Sequence, residues 1–266
     1  MTGRLEGKIA VVVGAGQTPG ETVGNGRAMA ILFAREGASV LCVDRIEERA
    51  EETAALITEE GHVASFLAAD IVKGADCAKI VEEAKTRYGR LDILVNNVGI
   101  GGGDAPAHRL EEAAFDRIIA VNLKGMWLTI KAALPQMREQ GGGAIVNISS
   151  LAARAGGIQL AYEVSKAGVN RLTTSVAQSN ARYGVRCNAV MMGYMDTPMA
   201  VSGIAAATGK PTSEVRAERD ARVPLGGKMG AGWDTAYAAL FLASDEAKFI
   251  SGAILPVDGG MGIRIG

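Results

Sequence analysis

A short apolar run near the start of the chain leads directly into a glycine-rich turn and then into a helix-forming segment. Residues 8–13 read Lys-Ile-Ala-Val-Val-Val, and Gly-Ala-Gly follows at residues 14–16. A β-branched run without polar alternation is typical of a strand buried on both faces of a parallel sheet. Apolar residues recur at helical spacing from Arg27 until Glu36-Gly37 ends the pattern. This order predicts an α/β fold in which a helix N-terminus faces a phosphate group.

The glycines of this turn can be placed in two registers. The two sets are Gly14, Gly16 and Gly20, or Gly14, Gly24 and Gly26. The first set would begin the helix through two further glycines, at a cost of ~2 kcal/mol in helix propensity. We favour the second, in which Asn25 lies between the last two glycines, and we place all four residues at the cofactor. It leaves residues 17–23 as an extended loop, an insertion of about six residues relative to the usual turn.

The second strand, residues 38–43, ends in Asp44. A carboxylate at this position accepts hydrogen bonds from the ribose of an adenine dinucleotide and repels a 2′-phosphate, which favours NAD over NADP. Arg45 is the counter-argument, because a guanidinium can bind that phosphate. We therefore predict NAD, keep NADP as the less favoured alternative, and place both residues at the cofactor.

Strand and helix patterns continue to alternate along the chain. Strand-like runs are residues 63–71, 91–95, 144–148, 186–190 and 253–260, and helical patterns are residues 46–61, 75–88 and 110–140. Pro135 is expected to break or kink the last helical pattern, and Pro256 is consistent with an edge strand. Neither a repeat nor a linker interrupts the order, which predicts one domain.

Polar residues cluster where these strands end, the edge at which open α/β sheets bind ligands. Asp70 and Ile71 end the third strand, and Asn97 and Gly99 follow the fourth. Asp70 either accepts a hydrogen bond from the adenine amino group or caps the next helix. Asn122 lies among apolar residues of a helical pattern and needs partners. It either bonds a neighbouring backbone, or distorts the helix and holds a water.

Tyr162 and Lys166 lie four residues apart at the start of another helical pattern, so they share one helix face. A phenol is a poor base at neutral pH because its pKa is about 10. A nearby ammonium favours the phenolate and lowers that pKa. The pair is then a usable general acid/base, although the same spacing also occurs on helices with no chemistry.

Composition excludes several classes of function. The net charge is -1 and there is no basic run, so we expect no nucleic-acid partner and no anionic membrane surface. Cys42, Cys77 and Cys187 have neither metal-ligand spacing nor a disulfide framework. The first residues are polar, and no run of apolar residues is long enough to span a bilayer. We expect a cytoplasmic protein with no metal site.

In order and spacing, these motifs resemble the short-chain dehydrogenase/reductase family from about residue 5 to residue 260. The motifs are the glycine loop with Asp44 and Asp70, the Asn-Asn-Val-Gly run at 96–99, Asn122, the Asn-Ile-Ser-Ser run at 147–150, and Tyr162 with Lys166. The resemblance implies a single-domain Rossmann-like doubly wound sheet of seven mostly parallel strands, flanked by helices on both faces and spanning residues 1–266. It also implies a homotetramer packed through residues 110–140, residues 162–183 and the last strand.

The resemblance further implies roles for individual residues. Tyr162 is the acid/base at the reacting oxygen, Lys166 lowers its pKa and holds the nicotinamide ribose, and Ser150 binds the same substrate oxygen. Asn122 positions the water that passes protons to Lys166. Gly193, Met195 and Thr197 belong to the nicotinamide site. Residues 198–222 correspond to a substrate lid.

Three departures from the family pattern matter. Val98 replaces an alanine. Ser149 fits the usual spacing to the tyrosine and Ser150 is one residue closer, yet we assign Ser150 because it is the second serine of its run. Met192 replaces a proline after the sixth strand, which loosens one wall of the nicotinamide pocket.

These features predict an NAD-dependent oxidoreductase that interconverts a secondary alcohol and a ketone. The alternatives are an NADP-dependent ketoreductase of the same family, or a catalytically silent dinucleotide-binding regulatory protein. The candidate pocket residues are mostly apolar and suggest a neutral substrate, whereas Arg154 suits a carboxylate. The pocket candidates are Leu151, Ala152, Ala153, Gln159, Leu160, Met191 and Tyr194.

Overall fold

Strands and helices alternate along residues 3–263, which the computed structural model describes. The strands are β1 Ile9–Val13, β2 Ser39–Asp44, β3 Ala64–Ala68, β4 Ile93–Asn96, β5 Gly143–Ser150, β6 Val185–Met192, β7 Met195–Asp196, β8 Gly230–Ala231 and β9 Ile254–Val257. The α-helices are α1 Asn25–Arg35, α2 Glu47–Glu59, α3 Gly74–Tyr88, α4 Glu112–Ile119, α5 Met126–Glu139, α6 Leu160–Asn180, α7 Pro198–Thr208, α8 Thr212–Asp220 and α9 Gly232–Ala243.

Seven strands form one sheet in the order β3-β2-β1-β4-β5-β6-β9, and every neighbouring pair is parallel. The predicted seven-stranded, Rossmann-like sheet is therefore confirmed, and β9 lies at its edge as expected. The strand order reverses between β1 and β4, so their carboxyl ends open a crevice at that point.

Helices cover both faces of this sheet because its strands are apolar on both sides. In β1, Ala10 and Val12 pack into a core formed with α1 and α9, while Val11 and Val13 pack into a second core. The second core also contains residues of α3, α5 and α6. All five residues of β1 are buried, which is the outcome that its unbroken apolar run predicts.

The helical pattern at residues 110–140 is interrupted near Asn122 and not at Pro135. Pro135 lies inside α5 and does not end it. The interruption is a π-helical segment, Ala120–Gly125, which contains Asn122. The sequence also gave no sign of the small parallel sheet formed by β7 and β8.

None of the helices among residues 3–263 is long and apolar enough to cross a membrane. In the same part of the chain, no three or more His, Cys, Asp or Glu side chains are grouped as metal ligands. The three cysteines are free and buried. Burial raises the pKa of Cys42 and Cys187 to about 12, which keeps both thiols protonated.

Candidate active site

The glycine turn after β1 brings the backbone of α1 unusually close to the strand. Gly14 has a φ of +79°, a conformation that favours glycine. A Cβ on Gly26 would lie 1.8 Å from the Gly14 carbonyl oxygen, so only hydrogen fits there. The Asn97 amide donates to the same oxygen at 2.9 Å. The helix begins at Asn25 with no side-chain cap, as the second glycine register requires, and its first backbone N–H groups suit a phosphate.

The inserted loop at residues 17–23 lies between the glycine turn and the segment after β7. Its first residue, Gln17, accepts a hydrogen bond from the Gly24 N–H at 2.7 Å. A Cβ on Gly20 would lie 2.7 Å from Pro198, the first residue of α7. Arg216 of α8 pairs with Glu21 at 2.8 Å and with Asp196 at 3.2 Å. The insertion therefore connects the cofactor turn with α7 and α8.

Asp44 lies at the carboxyl end of β2 and faces the glycine turn. Its carboxylate accepts hydrogen bonds from the Gly16 N–H at 3.1 Å and the Ile46 N–H at 3.0 Å. Arg45 and Arg49 line the cleft beside it, and neither guanidinium pairs with a carboxylate of residues 3–263. Arg49 was missed from the sequence because it lies inside a charged helix, where its direction is not apparent.

A cleft of about 810 Å³ extends from Asp44 to Tyr162 along the carboxyl ends of the strands. Thirteen of the predicted site residues line it, namely Gly14, Gly24, Asn25, Gly26, Asp44, Arg45, Asp70, Ile71, Asn97, Gly99, Tyr162, Lys166 and Thr197. Lining residues that the sequence did not single out include Gln17, Thr18, Arg49, Arg117 and Met199. The glycine cradle at one part of the cleft and Asp44 at its end fit an adenine dinucleotide.

Asp70 lies in the turn after β3, two residues beyond the strand's last residue. Its carboxylate accepts a hydrogen bond from the Val72 N–H at 3.2 Å, and its own N–H donates to Asp76. The residue that precedes α3 is Lys73, so Asp70 is not the cap of that helix. The alternative interpretation of Asp70 as a helix cap is therefore wrong.

Tyr162 and Lys166 are on the first two turns of α6 and face the cleft together. The Lys166 ammonium lies 5.6 Å from the centre of the Tyr162 ring. It donates a hydrogen bond to the Ile148 carbonyl oxygen of β5 at 2.9 Å. A Cβ on Gly99 would approach this ammonium to 3.2 Å, so the loop after β4 forms the opposite wall.

The electrostatics of this pair differ from the expectation that Lys166 lowers the pKa of Tyr162. Burial is the largest effect on Tyr162 and raises its pKa, while a hydrogen-bonding interaction with the Ser150 hydroxyl lowers it. Burial also lowers the pKa of Lys166 to about 8. Desolvation therefore favours the neutral form of both groups.

The two candidate serines have different environments. Ser150, the last residue of β5, interacts with the Tyr162 hydroxyl and accepts a hydrogen bond from the Ala152 N–H. Ser149 is fully buried, and its hydroxyl donates to the Lys166 carbonyl oxygen at 3.4 Å. Because neighbouring strand residues point to opposite faces, Ser150 is the one of the two serines whose hydroxyl lies beside the Tyr162 hydroxyl.

Asn122 is fully buried and its side-chain amide is bonded on both ends. Its Oδ1 accepts from the Ile100 N–H at 2.8 Å, and its Nδ2 donates to the Ile100 carbonyl oxygen and to Ser165. The amide thus replaces a backbone partner for the loop after β4. Asn122 lies in the π-helical segment, so the helix is interrupted at the residue that bonds this loop. Both expectations for Asn122, a backbone bond and a local helix distortion, hold together.

The segment after β6 only partly follows expectation. Thr197 lines the cleft, whereas Gly193 packs against Asp258 and Met195 is buried against Gly230. Met192, in place of the family proline, also lines the cleft, and its sulfur accepts hydrogen bonds from Asn25 and Thr235. The wall is therefore held by side chains rather than left loose. Met191 is fully buried and cannot contact a substrate as the sequence suggested.

Comparisons with known proteins agree with this geometry. A family model described as enoyl-(acyl carrier protein) reductase matches residues 21–262. Cis-4-hydroxycyclohexanecarboxylate dehydrogenase from Sinomonas cyclohexanicum is 41% identical over 254 residues, which cover 95% of this chain and 96% of that protein.

Two solved structures share the fold. A short-chain dehydrogenase/reductase from Burkholderia xenovorans has a TM-score of 0.91 at 41% identity, with 99% of this chain and 100% of that chain covered. Levodione reductase has a TM-score of 0.92 at 31% identity, with 98% of this chain and 100% of that chain covered. The chain belongs to the short-chain dehydrogenase/reductase family of oxidoreductases, whose members bind a nicotinamide dinucleotide.

Proposed function

We propose that the protein is an NAD(H)-dependent oxidoreductase that interconverts a secondary alcohol and a ketone. One observation carries this proposal: Asp44 and the Tyr162–Lys166 pair line a single cleft. The first group suits the adenosine ribose and the second suits proton transfer. When bound, the dinucleotide would supply or accept the hydride.

The proposed proton chemistry uses Tyr162 and Ser150. In ketone reduction, negative charge develops on the carbonyl oxygen, and two hydroxyl donors stabilise it. Tyr162 then gives its proton to that oxygen. Burial raises the pKa of Tyr162 and so favours the protonated phenol, the form that reduction requires. Alcohol oxidation requires the phenolate instead.

Lys166 and Asn122 support this step in different ways. The Lys166 ammonium is fixed by the Ile148 carbonyl and lies near the phenol ring, where its charge favours the phenolate. Its pKa of about 8 allows it to exchange protons near neutral pH. Asn122 fixes Ile100 and thereby the wall opposite Lys166. The proposed proton path also includes a water held near Asn122.

The preference for NADH over NADPH is the first testable consequence. In Asp44→Asn, loss of the negative charge removes the repulsion of a 2′-phosphate. Arg45 and Arg49 line the cleft beside Asp44 and can then bind that phosphate. We expect the NADPH-to-NADH ratio of kcat/KM to rise at least about 10-fold, since hydrogen bonds to charged groups contribute ~1.5–3 kcal/mol. Steady-state kinetics with both cofactors measures this ratio.

A double variant tests whether Arg49 contacts the 2′-phosphate of NADPH. In Asp44→Asn combined with Arg49→Ala, the gain with NADPH should be largely lost while the rate with NADH changes little. A wild-type enzyme that prefers NADPH would overturn the assignment of Asp44 and favour the NADP-dependent ketoreductase.

We also propose that α7 and α8 form a lid over the cofactor. A variant at Arg216 of α8 tests this. In Arg216→Ala the lid loses its ion pairs with Glu21 and Asp196. Partly exposed pairs contribute up to ~1 kcal/mol each, so NADH should dissociate about 3- to 10-fold faster. Stopped-flow displacement of NADH measures the rate.

Arg87→Ala is the matched control for this lid. It removes a 2.7 Å ion pair with Glu83 on α3, whose side chains are 36% and 29% exposed, close to the 26% and 27% of the Arg216–Asp196 pair. Equal dissociation rates in the wild type and Arg216→Ala would remove α8 from any role in retaining the cofactor.

The substrate class remains open between a neutral ketone and one that carries a carboxylate. Arg154 lies on an exposed loop after β5 and suits an anionic group. The related enzyme from Sinomonas cyclohexanicum is named for a hydroxycyclohexanecarboxylate. We propose a cyclic secondary alcohol, and a panel that pairs each neutral cyclic ketone with its carboxylated analogue would separate the two classes.

Homotetramer formation and a cytoplasmic location are also proposals. Exposed apolar side chains support oligomer formation, since Trp127 of α5 is 43% exposed, Val164 of α6 is 46% exposed and Phe249 before β9 is 98% exposed. Buried free thiols support a reducing compartment.

A further inference from the structure

The first N–H groups of α6, which carries Tyr162, have no side-chain partner from the helix itself, because the Glu163 carboxylate accepts from residues 157–159 instead. Gln159 precedes the helix and makes no side-chain capping bond. The first N–H groups of a helix have no partner within the helix, so burial would leave them unsatisfied. Their partners must come from elsewhere in the chain.

A loop more than 50 residues earlier supplies all three partners. Asp104 accepts hydrogen bonds from the Ala161 N–H at 3.1 Å and from the Tyr162 N–H at 2.7 Å. The Leu160 N–H donates to the Ala105 carbonyl oxygen at 3.4 Å. Asp104 also accepts from the Ala105 N–H at 2.8 Å, which fixes the direction of its carboxylate. A carboxylate at this place is further favoured by the helix dipole.

The same loop is anchored at its other end by Asn122, through both backbone groups of Ile100. Between the two anchors, Gly101 packs beside the Tyr162 ring, because a Cβ there would lie 3.8 Å from ring atom Cδ2. Residues 99–105 thus form a brace whose two ends attach to two groups of the proposed proton-transfer set.

We propose that Asp104 is a positioning residue for Tyr162. Its carboxylate fixes the first turn of α6 to the 99–105 brace, and this sets where the phenol meets the substrate oxygen. The carboxylate bonds the backbone of the acid/base residue itself, so a change at Asp104 moves the phenol directly. The inference rests on the function proposed above and adds a residue to it.

The test compares Asp104→Ala with Asp104→Asn. Misplacement of a catalytic group by about 1 Å can cost up to about 100-fold in rate, so kcat of Asp104→Ala should fall about 10- to 100-fold. The dissociation constant for NADH should change less than about twofold, because the adenosine end of the cleft is untouched. Asparagine keeps one acceptor oxygen and should restore part of kcat.

Asp92→Asn is the control for a merely structural effect. Asp92 is a buried carboxylate that, like Asp104, accepts a backbone hydrogen bond, here from the Ile9 N–H at 2.9 Å. It lies at the amino ends of β1 and β4, opposite the cleft. This variant should lower the thermal midpoint and leave kcat unchanged. An equal loss of kcat per folded protein in the Asp92 and Asp104 variants would overturn the proposal.

Amide hydrogen exchange tests whether Asp104 holds the first turn of α6, and this measurement needs no substrate. Exchange at Ala161 and Tyr162 should accelerate about 10-fold or more in Asp104→Ala and stay unchanged in Asp92→Asn. Unchanged exchange in Asp104→Ala would overturn the proposal. Faster exchange would support it even if the wild type reduced no ketone tested, an outcome that would count against the proposed function alone.

Discussion

Replacement of Tyr162 by phenylalanine is expected to reduce turnover about 10²- to 10⁴-fold, the usual contribution of a general acid. The aromatic ring that packs beside Gly101 is kept, and so is Lys166 near it. The dissociation constant for NADH should therefore change less than about threefold. Oxidation of NADH with a ketone panel gives the first quantity, and titration of NADH fluorescence gives the second.

Tyr88→Phe is the matched control because it also removes a partly buried phenol hydroxyl. Tyr88 is the last residue of α3, its hydroxyl lies 2.7 Å from the Ser65 hydroxyl of β3, and neither residue lines the cleft. We expect a loss of ~1 kcal/mol in the free energy of unfolding and an unchanged kcat. If the wild type and Tyr162→Phe both bind NADH and neither turns over any substrate, the catalytically silent regulatory protein becomes the better explanation.

The parts of this site that the sequence predicted are those with a fixed local spacing. Tyr162 and Lys166 are four residues apart on one helix, and the carboxyl end of each parallel strand lies at the same edge of the sheet. Such rules depend on helix and strand geometry alone. They were sufficient to place Asp44, Tyr162 and Lys166 on one cleft, whereas Ser150 and Thr197 were assigned from the family resemblance.

The parts that it did not predict depend on contacts between distant segments. Asp104 reaches the backbone of Tyr162, and Arg216 reaches Glu21, through loops whose course has no periodic pattern. The pKa of Tyr162 is a balance between burial and polar neighbours, and burial is known only once the fold is known. Pro135 does not break α5, and the helix is interrupted instead at the π-helical segment that contains Asn122.

Gly26→Ala is expected to be among the most damaging single changes to the fold at the cofactor site. The new Cβ would lie 1.8 Å from the Gly14 carbonyl oxygen and 2.6 Å from the Asn97 amide nitrogen. The turn cannot move aside easily, because the Gly14 and Ala15 N–H groups both donate to the Val43 carbonyl oxygen. We expect a loss of more than ~3 kcal/mol in the free energy of unfolding, the upper end for overpacked positions, together with loss of NADH binding.

Gly24→Ala separates this steric effect from the general effect of an added methyl group in the same turn. Gly24 has a φ of -72°, and the nearest atom to a new Cβ would be 3.6 Å away. Its free energy of unfolding should therefore stay within ~0.5 kcal/mol of the wild type. Urea unfolding of the three proteins measures this difference. A Gly26→Ala protein as stable as Gly24→Ala would mean that α1 can withdraw from β1, and the close approach that forms the phosphate cradle would not be obligatory.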